Sequence, residues 1–290
     1  MFQRILVPLD GSARSEQAIP VAIRLARSSR GTIVFVSVVF PPSEIGDYGA
    51  EEEAMAVPPS AYEKRLTGAE QYLQHIAERY ASELAGVSVE WEVETGSAAA
   101  AIFSVARLER IDLIVMCSHG AHALLHWIFR SIAREAVHSS PVPILVLKEK
   151  SSSFFEVHPH QTFRMLVPLD GSQLAEGALQ PALQLLNALV PVGRGELHLV
   201  QVVDLPSIEG KPILRAYELK HMQEQIVQKV RDYLTEVASR HLEALPADSQ
   251  IEITWSIMVS NHISRTIVEM AGHSAGNEQE KGYDMLAMAT

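Results

Sequence analysis

The amino-acid sequence predicts an α/β protein built from two repeated domains, each a doubly wound parallel sheet. The first observation is an internal repeat, because Leu-Val-Pro-Leu-Asp-Gly-Ser occurs at 6–12 and again, letter for letter, at 166–172. The second is that apolar runs typical of buried strands alternate with segments of helical periodicity in both halves. The third is the length of 290 residues, which suits two domains of ordinary size.

The first half contains five predicted strands separated by helices. Its first strand, 5–9, is apolar throughout, as expected for a parallel strand covered on both faces. Ser12 or Ser15 is placed to cap the helix that follows, and Gly31 is expected to end it. The later strands are predicted at 32–40, 87–95, 113–116 and 143–147, and the later helices at 62–84, 98–108 and from 131 onward.

The second half repeats this order after a predicted linker at 149–162, so the predicted domains are 1–148 and 163–290. Strands are predicted at 165–169, 197–203, 251–259 and 284–288, with a long helix through 219–237. The sequence stops at Thr290, so we expect the second domain to lack its last helix and strand.

The repeat also predicts how the halves associate. We expect the two domains to pack on each other as a pseudo-dimer within the chain. A bare apolar edge strand seeks hydrogen-bonding partners. We therefore expect strand 284–288 to be covered either by the edge at 144–147 of the first domain or by a second copy of the protein in a homodimer.

Composition narrows the classes of partner. The net charge of −11 disfavours DNA and RNA, because nucleic-acid-binding proteins usually carry basic patches. Apolar runs fall short of the ~20 residues that cross a bilayer, and residues 1–5 lead directly into a strand rather than a signal peptide. The single cysteine, Cys117, excludes an internal disulfide and is typical of a reducing compartment. We therefore predict a cytoplasmic protein with neither a nucleic-acid nor a membrane partner.

Several short motifs follow the strands in a distinctive order. Asp10-Gly11-Ser12 is followed by Glu16, a glycine at position 96 follows the third strand, and Asp-Leu-Ile-Val-Met-Cys-Ser-His-Gly occupies 112–120. Together with Ser131 before the strand at 143–147, this order resembles the universal stress protein family in its tandem two-domain form. The resemblance implies Rossmann-like sheets of strand order 3-2-1-4-5. Their switch point would place Asp10 beside the loop at 117–120.

The resemblance also implies a nucleotide site. In members of the family that bind ATP, the carboxylate at the position of Asp10 meets the adenosine, and the phosphates lie on a Gly-x-x-Gly, nine-residue, Gly-Ser pattern. Here that pattern maps to Cys117, Gly120, Arg130 and Ser131, so two of its three glycines are replaced. We expect Arg130 to lie over the phosphate region and Asp170 to hold no nucleotide. The implied cofactor-binding residues of this degenerate site are Asp10, Gly11, Ser12, Val38, Cys117, Gly120, Arg130 and Ser131.

Three functions follow from these patterns. The first is a stress-response protein that acts by binding rather than by fast catalysis, and the alternative within the family is an ATP-binding protein with slow ATPase activity. A third is a metal-dependent hydrolase built on His119, His122 and His126, whose spacing could bind a metal. Apart from Cys117, no nearby carboxylate or cysteine completes that set, so we expect no metal.

Overall fold

The computed structural model describes residues 2–41, 59–117, 139–148, 162–190, 194–207, 212–246, 249–272 and 282–289. The chain divides into two compact units, Met1–Glu156 and Val157–Thr290. Each unit contains one parallel sheet. The domain bounds inferred from the sequence and the pairing of the two halves remain predictions.

The sheet of the first unit has five parallel strands in the predicted order, β3-β2-β1-β4-β5. Its strands are β1 (Arg4–Pro8), β2 (Thr32–Val39), β3 (Ser88–Thr95), β4 (Leu113–Cys117) and β5 (Ile144–Leu147). Its described helices are α1 (Ala18–Ser29), α2 (Pro59–Arg79) and α3 (Ala98–Leu108). Because β1 pairs with β2 on one side and with β4 on the other, the strand order reverses between β1 and β4.

The central strands of this sheet are buried on both faces. Leu6 of β1 and Ile114 of β4 are fully buried in a core cluster that includes the apolar residues of α3. Because side chains alternate between the two faces of a strand, Ile5 and Val7 lie on the opposite face. Both are fully buried, and α1 contacts both β1 and β4. The continuous apolar runs of the sequence thus result from helices on both sides of the sheet.

The end of α1 differs from the prediction in its detail. Arg30, not Gly31, adopts the left-handed conformation, with φ of 51°. Gly31 is required for a different reason, because a Cβ atom there would lie 2.5 Å from the backbone oxygen of Gln3. The glycine therefore permits the chain to pass close to β1 on its way into β2.

The sheet of the second unit has four described parallel strands in the order β8-β7-β6-β9. They are β6 (Thr162–Pro168), β7 (Arg194–Val203), β8 (Ile251–Val259) and β9 (Met285–Leu286). The helices are α4 (Gln173–Glu176), α5 (Leu179–Leu189), α6 (Ile213–Glu243) and α7 (Ile263–Ala271). The order repeats that of the first unit as far as the fourth strand, which confirms the predicted repeated fold. β6 begins at the last residue assigned to the linker, Thr162.

The fourth strand of this sheet is shorter than predicted. The sequence predicts a strand at 284–288, whereas β9 itself spans two residues that pair with Met165 and Leu166 of β6. Backbone bonds continue the pairing on both sides of β9, from the N–H of Asp284 and from the N–H of Ala287. Within the described residues, no helix has the length and apolar character needed to cross a bilayer.

Candidate functional site

The carboxyl end of β1 carries a turn held together by the side chain of Asp10. Its Oδ1 atom accepts hydrogen bonds from the backbone N–H of Ser12 at 3.0 Å and from the Ser12 hydroxyl at 2.6 Å. Gly11 has φ of +80°, a conformation that side-chain-bearing residues rarely adopt. The Ser12 hydroxyl then accepts from the N–H of Ser15 at 3.1 Å and so caps the turn that leads into α1. Helix α1 itself begins after Gln17 with no side-chain cap, so neither Ser12 nor Ser15 caps the helix as predicted.

Glu16 anchors this turn to the long helix α2. Its Oε2 accepts from Arg79 Nη1 at 2.7 Å, and its Oε1 accepts from the Tyr72 hydroxyl at 3.1 Å. The Glu16 side chain is only 13% exposed, so both bonds form in a partly dehydrated environment where they are stronger than in water. We call Glu16, Tyr72 and Arg79 the first clamp.

The first clamp is electrostatically coupled to Asp10. Burial, followed by the charge of Glu16, raises the pKa of Tyr72 far above its ordinary range, and the charge of Asp10 adds to the effect. The Tyr72 hydroxyl therefore remains a protonated donor at all physiological pH values. The clamp thus holds a neutral donor and a cation close to two carboxylates at the switch point of the sheet.

Cys117 ends β4, the strand beside β1, and it is buried. Burial raises the pKa of Cys117 to about 11, the negative charge of Asp10 adds to the rise, and Arg14 opposes it. At neutral pH the side chain is a thiol and not a reactive thiolate. Because β1 and β4 are paired parallel strands, Asp10 and Cys117 lie at the same edge of the sheet.

Val38, the remaining described member of the predicted set, lies near the carboxyl end of β2. It is half-buried and packs against the core cluster beneath α3. The N–H of Leu9 donates to the carbonyl of Val36 at 2.8 Å, so the start of the Asp10 turn continues the pairing of β1 with β2 close to Val38. Strands β1, β2 and β4 therefore all direct predicted site residues to the same edge of the sheet.

The second unit repeats the turn in a more exposed form. Oδ1 of Asp170 accepts from the N–H of Ser172 at 2.9 Å, and the Ser172 hydroxyl caps α4 through the N–H of Ala175 at 3.1 Å. Asp170 is exposed, and the hydrogen bonds from Ser172 hold its pKa below the usual range. Glu176 pairs with Arg240 of α6 at 3.0 Å, as Glu16 pairs with Arg79. The turn is thus a property of the repeated fold, and its burial distinguishes the first unit.

The sequence of the first unit matches a known protein family. The model of the universal stress protein family matches residues 1–148. The chain belongs to the universal stress protein family. A curated relative, universal stress protein Sll1654 of Synechocystis, is 27% identical over 148 residues, which cover 51% of this chain and 86% of that protein.

Solved structures of universal stress proteins extend the similarity to both units. One from Archaeoglobus fulgidus has a TM-score of 0.52 at 20% identity, over 89% of this chain and 77% of that chain. A putative universal stress protein from Pseudomonas aeruginosa has a TM-score of 0.50 at 14% identity, over 88% of this chain and 74% of that chain. At these identities the similarity shows the fold, which the two units share with both structures.

Apart from Cys117, the phosphate half of the site predicted for a universal stress protein lies outside the described residues. This applies to Gly120, Arg130 and Ser131, and equally to His119, His122 and His126. Within the described residues, no group of three histidine, cysteine or acidic side chains is arranged to hold a metal ion.

The sequence reasoning missed Tyr72 and Arg79, although a signal for both exists. Glu16 and Glu176 are repeated, and in both long helices a tyrosine precedes an arginine by about two turns, as Tyr72 and Arg79 do in α2. Periodicity assigned α2 an apolar face and left these polar positions unexplained. Comparing the polar residues of the two repeats would have identified them.

Proposed function

We propose that the first unit is a nucleotide-responsive binding module, with the Asp10 turn as its adenosine site and a weakened phosphate site. The observation that carries the proposal is the position of Asp10 at the point where the strand order reverses between β1 and β4. Doubly wound sheets bind ligands in the crevice outside the carboxyl ends of their strands at this point. The protein would act in the stress response by binding and interaction, not by fast catalysis.

The geometry of the turn supports an adenosine contact. Two hydrogen bonds from Ser12 fix the Asp10 carboxylate, so little side-chain entropy remains to be lost when a ligand binds. The half-buried Val38 lies on the neighbouring strand and would give an apolar surface for a base. A fixed carboxylate beside an apolar surface is chemically suited to a nucleoside, whose hydroxyls donate hydrogen bonds and whose base stacks on apolar atoms.

The presence of Cys117 supports the proposal that the phosphate site binds weakly. In the family pattern this position is a glycine, which allows backbone N–H groups to approach a phosphate. Here a buried thiol stands there, in a region where the charge of Asp10 already raises the cost of a further anion. Arg130 replaces a second glycine of the pattern, and its long side chain would add to this obstruction. The alternative function is an ATP-binding protein with slow hydrolysis, and tight binding of ATP by the unaltered chain would favour it.

Calorimetric titration of the full chain with ATP tests the proposal. We expect weak binding that Asp10→Ala reduces about tenfold or more, because a hydrogen bond to a charged group contributes about 1.5–3 kcal/mol. Asp170→Ala is the matched control, since it disrupts the same kind of turn in the second unit and should leave the affinity unchanged. The double variant Cys117→Gly with Arg130→Gly should bind ATP more tightly.

Two outcomes would contradict the proposal. Equal losses of affinity in the Asp10 and Asp170 variants would show that the site does not lie at the first turn. Unchanged affinity in the double glycine variant would show that the two replaced glycines do not limit phosphate binding. Metal analysis of the purified protein decides separately on the hydrolase built on the three histidines.

A further inference from the structure

The second sheet carries a connected row of polar side chains across β6, β7 and β8. Arg164 Nε donates to Glu196 Oε2 at 2.8 Å, and the Thr254 hydroxyl donates to Glu196 Oε1 at 2.9 Å. His198 Nδ1 lies 2.7 Å from Thr254 Oγ1, and His198 Nε2 lies 2.8 Å from Ser256 Oγ. The side chains of Thr254 and His198 thus connect the carboxylate of Glu196 to the hydroxyl of Ser256.

The protons of this row can be assigned from its chemistry. A hydroxyl has one proton to donate, and Thr254 donates it to Glu196, so Thr254 must accept from the N–H at Nδ1 of His198. A neutral imidazole with its proton on Nδ1 presents a lone pair at Nε2. That lone pair faces the hydroxyl of Ser256, which therefore donates to it.

The fold does not require this row. In β1 and β2 Arg4 pairs with Thr32, whereas in β6 and β7 Arg164 pairs with Glu196, so Glu196 takes the place of Thr32. His198 then takes the place of Val34, which is fully buried in the apolar core of the first unit. The same sheet face is stable with an apolar residue at that position. A half-buried polar network is costly where an apolar side chain fits, so its presence in one repeat alone suggests a chemical role.

We propose that Ser256 is an activated nucleophile, that His198 is its general base, and that Thr254 and Glu196 are positioning residues which fix the histidine tautomer. A nucleophile in hydrogen-bond contact with a base that a third group orients is the arrangement of covalent acyl-transfer sites. The substrate class is small acyl donors such as activated esters. This site belongs to the second unit and is independent of the nucleotide site proposed for the first.

The reaction is balanced with the groups present. Ser256 Oγ attacks the carbonyl carbon of the ester while its proton passes to His198 Nε2, and a bond forms between Oγ and that carbon. The bond from the carbon to the leaving oxygen then breaks, and His198 returns the proton to the departing alcohol. Water attacks the acyl-serine in the same way and releases the acid, so no oxidant, reductant or metal is needed.

The surroundings favour a neutral base within reach of small molecules. Ser256 is half-buried on β8, an edge strand of the sheet as described, and the His198 side chain is 13% exposed. Apolar side chains of α7 and the ring of Tyr283 pack against the same sheet face and would contact a short acyl chain. Burial lowers the pKa of His198, the charge of Glu196 opposes this effect, and Arg164 adds to it. The charged groups of α7 include Arg265 and Glu269, which pair with each other at 2.7 Å in solvent.

Labelling of the folded full chain with a fluorophosphonate probe tests this proposal. A general base contributes about 10²–10⁴-fold, so we expect Ser256 to be labelled roughly 100-fold faster than the exposed strand serine Ser88, with peptide mass spectrometry locating each adduct. The rate should fall in acid as His198 becomes protonated, at a lower pH than for an ordinary histidine because burial lowers its pKa. Ser256→Ala should remove the fast adduct, and p-nitrophenyl acetate should give a burst of one acyl group per chain in the unaltered protein alone.

Three further variants separate activation from a merely structural network. His198→Gln should reduce labelling of Ser256 to the rate of Ser88. Thr254→Val should reduce it and make its pH dependence shallower, while Thr254→Ser should restore both. Labelling of Ser256 at the rate of Ser88 in the folded unaltered chain would overturn the proposal. Fast labelling that persists in Thr254→Val with an unchanged pH profile would overturn the assigned roles of Thr254 and Glu196.

Discussion

Replacing Tyr72 by phenylalanine tests whether the first clamp stabilises the Asp10 turn. The change removes one hydroxyl and leaves the ring in place, so Glu16 Oε1 loses a donor at 3.1 Å while Arg79 still donates to Oε2 at 2.7 Å. Because the Glu16 side chain is 13% exposed, water replaces that donor poorly. Loss of a hydrogen bond to a charged group then costs about 1.5–3 kcal/mol.

The second unit supplies a matched control at Tyr233. This residue occupies the corresponding place in α6, and burial followed by the charge of Glu176 raises its pKa far above the ordinary range. Among the described residues, however, its buried hydroxyl oxygen has no partner in hydrogen-bonding geometry, so its interaction with Glu176 is weaker than the bond of 3.1 Å between Tyr72 and Glu16. Tyr233→Phe should therefore cost far less than Tyr72→Phe.

Native-state hydrogen exchange suits this comparison, because a chain of two units does not unfold as a single two-state system. For Tyr72→Phe we expect the protection of the slowest amides of β1 to fall about 10- to 150-fold, the equivalent of 1.5–3 kcal/mol, with those of β6 unchanged. In Tyr233→Phe the amides of β6 should change by less than about threefold. Equal losses in the two variants, or unchanged protection of β1 in Tyr72→Phe, would refute the reasoning.

Three other predictions concern packing and titration. Gly31→Ala should destabilise the first unit by about 1–3 kcal/mol in urea unfolding, because the new Cβ atom would lie 2.5 Å from the backbone oxygen of Gln3. Gly68→Ala is the control, since Gly68 faces open space within α2, and this change should stabilise the first unit by about 0.5–1 kcal/mol. Burial lowers the pKa of His198 in the folded state, so its contribution to the stability of the second unit should be complete above about pH 6.5 and be lost as the pH falls through the folded-state pKa. Urea unfolding at several pH values should show this loss, and His198→Gln should remove it. The single thiol, Cys117, should titrate near pH 11 by its thiolate absorbance, and a transition near the ordinary value of 9.0 would contradict its burial beside a carboxylate.

Much of this architecture could be predicted because its causes are local. Strand β8 at 251–259 and helix α3 at 98–108 have the predicted bounds. The Asp10 turn is also a local structure, in which the carboxylate bonds to a residue two positions further on and a glycine supplies the positive φ. Repetition of the same letters half a chain later then predicts the second copy without further information.

The contacts that give the candidate sites their chemistry are distant in sequence. Tyr72 reaches Glu16 across 56 residues, and His198 reaches Ser256 across 58. Hydrophobic periodicity predicts which face of a helix or strand is buried, but not which polar group of another element meets it. Those pairings depend on strand register and on the position of each helix over the sheet. The sequence by itself therefore determined the repeated fold and the Asp10 turn. Only tertiary packing decided the first clamp, the environment of Cys117 and the row of polar side chains ending at Ser256, because contacts between distant elements form only after those elements have packed.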